Sequence, residues 1–223
     1  YLPGQALTRG DDKKFCHRVI KPSTDHSMKT PLEVLRLYPE HDYTLNGAFE
    51  SRMRANPQRD FLVHEGKTWS WGDFHAAAAR AARMLVARGI KKGDRVGIVA
   101  RNSDAHVLLL FACARIGAIM VPSNPEFGAQ ELGYVFKHAA VAAVVCGEDV
   151  LAVARDACRE IQPAPWFMLI GAKAADAEDF FEAIAHAPDA TLPPPASADD
   201  SVLIIYTSGT TGFPKGAMHS QRN

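Results

Sequence analysis

The sequence is poor in cysteine and has no two cysteines at the spacing of a metal-binding or redox motif. Four cysteines occur among 223 residues, and none of them forms a Cys-x-x-Cys pair. Cys113 and Cys146 lie inside apolar runs, where a reduced thiol packs as a small apolar side chain. The sequence therefore indicates neither a zinc site nor a disulfide framework.

The sequence also lacks net charge and long apolar runs. Its 25 Lys and Arg residues are balanced by 25 Asp and Glu residues, so it has none of the accumulated positive charge that holds a phosphate backbone, and we expect no nucleic-acid partner. The longest strongly apolar runs, residues 107–114 and 139–146, are much shorter than the roughly 20 residues that cross a bilayer. Residues 1–29 mix charges without an apolar segment of the secretory kind. We therefore expect a cytoplasmic protein without a membrane span.

Glycine and proline occur at ordinary levels, 16 and 14 residues, which excludes collagen-like and generally disordered chains. The chain instead shows a regular alternation in which helical stretches after Ser103, Gly128 and Asp149 separate four apolar runs. Runs that are apolar throughout are typical of parallel strands covered by helices on both faces. The predicted fold class is α/β, a parallel sheet flanked by helices, with strands at residues 95–100, 118–121, 141–146 and 166–170.

Cap signals predict further elements around this alternation. Thr30, Pro31 and Glu33 have the N-cap, first-turn proline and capping-box pattern of a short helix that reaches about residue 37. The other predicted elements are a helix at residues 45–55, a hairpin that turns at residues 65–66, a helix from Ser70 to Gly89 and an amphipathic helix at residues 176–187.

A proline-rich connector divides the predicted parts. It covers residues 188–200 and leads to a new buried strand at residues 202–206. We expect an N-terminal arm and short helix at residues 1–43 and a first α/β subdomain at residues 44–190. Residues 191–223 are expected to form a linker, a strand and a loop that open a second, truncated subdomain and start a second sheet.

A glycine- and hydroxyl-rich loop after this strand carries the clearest chemical signal. Glycines let a backbone approach a ligand closely, so that its N–H groups converge on an anion, while hydroxyls add donors and a lysine adds a fixed charge for a polyphosphate. It is not a Walker A loop, because Pro214 precedes Lys215 and Gly216 follows it. The alternative is a surface turn rich in small polar residues. We call residues 207–216 the phosphate loop, and its candidate binding residues are Thr207, Ser208, Gly209, Thr210, Thr211, Gly212 and Lys215.

The phosphate loop resembles the AMP-binding signature of the adenylate-forming superfamily, which comprises acyl-CoA synthetases, adenylation domains of nonribosomal peptide synthetases and luciferases. Residues 67–74, 93–98 and 115–125 are similar to three further family stretches in the same order. The resemblance covers roughly residues 44–223, and residues 217–220 favour the carboxylate–CoA ligase branch.

The resemblance implies a Rossmann-like N-terminal subdomain and a two-step reaction. A carboxylate attacks the α-phosphorus of ATP, and coenzyme A then takes the acyl group from the acyl-adenylate. The candidate residues of the phosphate loop would hold the β- and γ-phosphates. The partners would be a small carboxylic acid, ATP and coenzyme A, with Mg²⁺ as cofactor. In the family, the acidic magnesium ligand and the catalytic lysine follow this signature. The resemblance therefore implies that residues 1–223 contain no catalytic residue and no metal ligand. We expect them to be an N-terminal portion that is inactive alone.

Two alternatives stay open at this point. The chain could belong to an amino-acid adenylation domain that loads a carrier protein, or to a noncatalytic module that binds polyphosphate or a partner protein through the same loop. The nine histidines show no pair at ligand spacing, and we assign none a catalytic role. His219 could border a ligand or begin a helix capped by Ser220.

Overall fold

The computed structural model describes residues 30–35, 41–207 and 214–223. Residues 1–40 and residues 41–223 form separate units. In the first unit, α1 (Pro31–Leu35) begins at a capping box in which the Thr30 N–H donates to Glu33 Oε2 at 2.7 Å. The predicted short helix is therefore confirmed as far as residue 35, and residues 36–37 lie outside the described residues.

The second unit contains all other described elements. Its helices are α2 (Leu45–Ala55), α3 (Trp71–Ala87), α4 (Asp104–Ile116), α5 (Ala129–Ala139), α6 (Leu151–Cys158) and α7 (Phe180–Ala185). Its strands are β1 (Asp60–His64), β2 (Lys67–Ser70), β3 (Arg95–Val99), β4 (Ile119–Ser123), β5 (Val141–Cys146), β6 (Trp166–Leu169), β7 (Ala177–Asp179), β8 (Ser201–Thr207) and β9 (Lys215–Ser220). Among the described residues, no helix is long and apolar enough to cross a membrane.

A seven-stranded sheet forms the centre of this unit, in the order β7-β6-β5-β3-β4-β8-β9. All neighbours in it are parallel except β8 and β9, which are antiparallel. The strands β1 and β2 form a separate antiparallel hairpin. The predicted α/β class, with a parallel sheet flanked by helices, is confirmed.

Helices cover both faces of the sheet, as the apolar strands predicted. On one face α3, α4 and α7 bury Phe74, Leu108 and Phe180 against strand residues such as Ile98. On the other face α5 and α6 bury Phe136 and Leu151 against Val121 and Val144. Each central strand therefore contributes alternate side chains to two cores.

Two predictions about the later strands are wrong in detail. Residues 177–179, expected to start a helix, form β7 against β6, and only Phe180–Ala185 are helical. The edge of β6 offers backbone partners that a sequence pattern does not reveal, and Asp179 then caps α7 by accepting from the Glu182 N–H at 2.8 Å.

The strand expected to start a second sheet lies in the main sheet instead. Leu203 of β8 pairs with Met120 of β4, because β4 presents a free edge and a strand with unpaired N–H and C=O groups is stabilised by pairing there. The second sheet of the structure is the β1–β2 hairpin. The subdomain boundary near residue 191 stays a prediction.

A buried carboxylate joins the β1–β2 hairpin to α4. Asp104, the first residue of α4, is 6% exposed. Its Oδ2 accepts a hydrogen bond from Trp69 Nε1 at 2.9 Å and lies 3.3 Å from Lys67 Nζ. A negative charge is also favoured at a helix N-terminus, so Asp104 satisfies the indole and the helix start together.

We expect Asp104→Ala to lower the free energy of unfolding by about 1–3 kcal/mol, because it leaves the indole N–H of Trp69 without its acceptor. Asp104→Asn keeps an acceptor oxygen, so it should lower the free energy of unfolding less than Asp104→Ala does. Urea denaturation of the three proteins measures this. The matched control is Asp189→Ala, since Asp189 is fully exposed and lies 3.6 Å from Arg83; it should leave the midpoint unchanged. Equal midpoints for Asp104→Ala and Asp189→Ala would contradict the assignment.

A second prediction concerns Gly97 in the central strand β3. A Cβ added there would come within 2.9 Å of Cε1 of Phe136, and Phe136 is fully buried. We expect Gly97→Ala to lower the free energy of unfolding by about 1–3 kcal/mol, because the added methyl group overpacks the core.

Phe136→Leu should relieve this overpacking. The double variant should therefore be more stable than the sum of the two single effects predicts, as a double-mutant cycle by urea denaturation would show. Additive losses would mean that contact with Phe136 is not the cause.

Candidate functional site

The parallel strands end together at one edge of the sheet, which we call the carboxyl edge. The helix α4 leaves β3 toward one face, and α5 leaves the neighbouring β4 toward the other. In open α/β sheets, ligands bind outside the carboxyl ends of strands, in the crevice where the connections diverge in this way. Because β8 runs parallel to β4, its last residue, Thr207, opens onto this same edge.

The phosphate loop connects β8 to β9. Thr207 is the last residue of β8 and Lys215 the first of β9, and the two are paired directly across the strands. The structure thus brings Thr207 and Lys215 together. The other candidate residues, Ser208, Gly209, Thr210, Thr211 and Gly212, lie outside the described residues.

Lys215 is exposed and shares a strand face with Thr207, because paired residues of an antiparallel ladder point to the same side. No acidic side chain among the described residues lies within ion-pair distance of its ammonium. A cation in this setting can accept an anionic ligand without first breaking an ion pair.

On the opposite face of β8, Ile204 and Tyr206 pack toward α5. Tyr206 lies there, and its hydroxyl is 2.6 Å from Nδ1 of His138. Burial raises the pKa of Tyr206, with a smaller contribution from Tyr134, so its hydroxyl keeps its proton and can donate to His138. The sequence offered no signal for this contact, which joins residues 68 positions apart.

Gly216 lies opposite Tyr206 in the β8–β9 ladder. An added Cβ would lie 3.0 Å from Cζ of Tyr206 and 3.0 Å from Cγ2 of Ile204. The space beside Gly216 is therefore filled by protein side chains. Its lack of a side chain serves packing against Tyr206.

The end of β9 is also fixed. His219 and Ser220 both belong to the strand, so of the two alternatives considered for His219, the helix start does not occur. Gln221 follows and is 7% exposed. Its Oε1 accepts from the Leu45 N–H, and its Nε2 donates to the Ala114 carbonyl, both at 3.1 Å. Gln221 therefore ties β9 to the start of α2 and to α4.

The described residues provide neither a metal cluster nor a reactive thiol. No group of three or more His, Cys, Asp or Glu side chains among them is placed to hold a metal ion. Burial raises the pKa of Cys113 to about 12, and that of Cys146, where burial is the largest cause, also to about 12. Both thiols are therefore protonated at physiological pH and do not act as nucleophiles.

Known proteins show similarity over most of this chain. A feruloyl-CoA synthase of Amycolatopsis sp is 33% identical over 173 residues, which cover 77% of this chain and 32% of that protein. Subunit 2 of the surfactin synthase of Bacillus subtilis is 27% identical over 79% of this chain and 5% of its own length. The inhibitor-bound N-terminal domain of FACL13 from Mycobacterium tuberculosis superposes with a TM-score of 0.67 at 29% identity, covering 80% of this chain and 44% of that domain.

The chain spans about a third of the length of the feruloyl-CoA synthase that it resembles. The family model described as AMP-binding enzyme matches residues 49–223, which include the whole seven-stranded sheet and both ends of the phosphate loop. On this match, and on a fold that agrees with it, the chain belongs to the AMP-binding enzyme family.

Proposed function

We propose that the protein carrying this chain activates a carboxylic acid with ATP and transfers the acyl group to coenzyme A. The observation that carries the proposal is the position of Lys215: an exposed cation without a described acidic partner, paired with Thr207 at the carboxyl edge. Family membership and the similarity to a feruloyl-CoA synthase support this reaction.

The first step needs a group that stabilises negative charge as it develops. A carboxylate oxygen bonds to the α-phosphorus of ATP, and the bond from that phosphorus to the bridging oxygen breaks, so the electron pair leaves with pyrophosphate. A preorganised cation at the β- and γ-phosphates lowers this barrier. We assign this role to Lys215.

The neutral groups of the phosphate loop would orient the phosphates. Thr207 can donate its hydroxyl from the end of β8, and we propose that Ser208, Gly209, Thr210, Thr211 and Gly212 complete the contacts through hydroxyl and backbone N–H groups. This part of the proposal rests on the resemblance of the motif.

In the second step the thiol of coenzyme A attacks the acyl carbon, and AMP leaves. The charge that then develops is on AMP, and pyrophosphate has already departed. Lys215 should therefore matter much less for thioester formation than for adenylation.

Mg²⁺ bound to the nucleotide would neutralise part of the phosphate charge. The described residues contain no acidic cluster placed to hold a metal ion, so they do not fit a magnesium site, and we assign none of them to the metal. ATP and coenzyme A as substrates agree with the cytoplasmic location expected from the sequence.

A second candidate function is the loading of an amino acid onto a carrier protein, favoured by the similarity to the surfactin synthase subunit. The adenylation step is shared, so the acceptor separates the two functions. Thioester formation with free coenzyme A supports the first function, and transfer only to a carrier-protein thiol supports the second.

We expect Lys215→Ala in the protein carrying this chain to slow adenylation by about 10²–10³-fold, the usual loss when one preorganised donor to developing charge is removed. Carboxylate-dependent exchange of labelled pyrophosphate into ATP measures this step. Thioester formation from preformed acyl-adenylate should change much less. Lys215→Arg should restore only part of the rate, because a planar guanidinium replaces a compact ammonium.

The matched control is Lys91→Ala. Lys91 is also exposed but precedes β3, at the edge of the sheet opposite the phosphate loop. Lys91→Ala should leave the rates of adenylation and thioester formation unchanged. An equal loss in both steps for Lys215→Ala, or no loss in adenylation, would refute the assigned role.

A further inference from the structure

The strand pair that carries Lys215 extends beyond the part of β8 that is held by β4. Among the described residues, β8 pairs with β4 only at Leu203, whereas its pairing with β9 continues to Thr207 and Lys215. Beyond Leu203 the described residues of β8 have ladder partners only in β9, and we call residues 204–207 and 215–218 the ribbon. Strands paired on one side only are held less firmly than strands inside a wider sheet, so side-chain contacts contribute to holding this end in place.

Tyr206 supplies such a contact within the ribbon. It is paired with Gly216, the residue next to Lys215, and its ring fills the space where a side chain at Gly216 would lie. An aromatic ring over a strand glycine supplies the packing that glycine itself lacks. The ring thus contacts both strands at the residue pair next to that of Thr207 and Lys215.

His138 connects Tyr206 to the helix α5. It lies in the last turn of α5, with Nδ1 2.6 Å from the Tyr206 hydroxyl. Its ring stacks on Tyr134, one turn earlier, at 5.7 Å and 15°, and meets the Tyr206 ring edge-on at 87°. His138 is exposed, and two aromatic neighbours and one hydrogen bond hold its ring in this position.

The helix end that carries His138 is itself fixed. Phe136 is fully buried beneath it, and the Arg95 guanidinium donates to the carbonyls of Ala139 and Ala140 at the helix C-terminus. A continuous set of contacts leads from the core through α5, His138 and Tyr206 to Gly216, beside Lys215.

We propose that His138 and Tyr206 are positioning residues, which hold the start of β9 so that the Lys215 ammonium lies where the departing pyrophosphate needs it. This inference rests on the proposed function. Neither side chain is proposed to touch the substrate. Displacing a charged group by about 1 Å can cost on the order of 10²-fold in rate, so a modest loosening of the ribbon would be measurable.

The test compares Tyr206→Phe and His138→Ala in pyrophosphate exchange by the protein carrying this chain. Each removes the hydrogen bond, and Tyr206→Phe keeps the ring over Gly216. The net free energy of one neutral hydrogen bond corresponds to a change of about two- to twelvefold in a rate or equilibrium constant. We expect kcat to fall by a factor of that size, with little change in the KM for the carboxylate. The double variant should lose no more than the worse single variant. His138→Asn, whose amide can take the place of Nδ1, should recover part of the loss.

Two controls connect the effect to Lys215. In a Lys215→Ala background, Tyr206→Phe should cause no further loss, because the group that it positions is already gone. Lys137→Ala, a change of the exposed neighbour of His138 that pairs with Glu160 at 3.5 Å, should leave the rate unchanged.

Amide hydrogen exchange gives a readout that does not depend on activity. Tyr206→Phe and His138→Ala should speed exchange in residues 204–207 and 215–218 and leave the central strand β3 unchanged. Unchanged exchange in the ribbon would overturn the proposal.

The outcomes separate this proposal from the proposed function. If Lys215→Ala does not slow adenylation, the proposed function of Lys215 is refuted. The positioning role is then refuted as well, even if amide exchange in the ribbon is faster in Tyr206→Phe and His138→Ala. If Lys215→Ala slows adenylation but Tyr206→Phe and His138→Ala do not, only the positioning role is overturned. An undiminished Tyr206→Phe effect in the Lys215→Ala background would also overturn it.

Discussion

The parallel pairing of β3 with β4 is the constraint on which the rest of the structure depends. Five consecutive residue pairs join these strands, from Arg95 with Ile119 to Val99 with Ser123. Because α4 and α5 leave them toward opposite faces, this one pair determines which helices form each core and where the carboxyl edge opens. It also leaves an edge of β4 to which β8 pairs. The close contact of Gly97 with Phe136 keeps α5 near β3, so the helix that later meets Tyr206 is positioned from the centre of the sheet.

Local signals were sufficient to predict much of this fold. The helix α2 has the bounds that were expected, and β5 covers the predicted residues 141–146. The helix α3 begins at Trp71, directly after its N-cap Ser70, whose side chain accepts from the Asp73 N–H. In each case the information lies within a few residues. By contrast, β7 and the sheet position of β8 depend on strand edges supplied by distant segments, and no periodicity within residues 176–187 or 202–206 could reveal those partners.

The candidate site divides in the same way. The phosphate-binding role of the loop stays a prediction, drawn from glycines, hydroxyls and a lysine that lie within ten residues of one another; the structure adds that Thr207 pairs with Lys215. The contact of His138 with Tyr206 could not be predicted, since 68 residues separate them and no local pattern links a residue of one predicted helix to the end of a distant strand. Charge pairing alone does not single out the lysine of the loop. Exposed Lys92 and Lys137 have acidic partners, whereas Lys215 and Lys91 both have none among the described residues, so the position of Lys215 at the carboxyl edge makes the difference.

Gln221, buried between the start of α2 and the end of α4, has a consequence for how the loop sequence can change. A slip of β9 by one residue would turn every side chain of the strand to the other face, and the lysine would point away from Thr207. The buried amide prevents such a slip at one end of the strand, and the glycine beneath Tyr206 prevents it at the other. Register is thereby set outside the residues that connect β8 to β9. On the proposed function, substitutions in that connection would change the phosphate contacts, while the register of the two flanking strands is set by residues outside it.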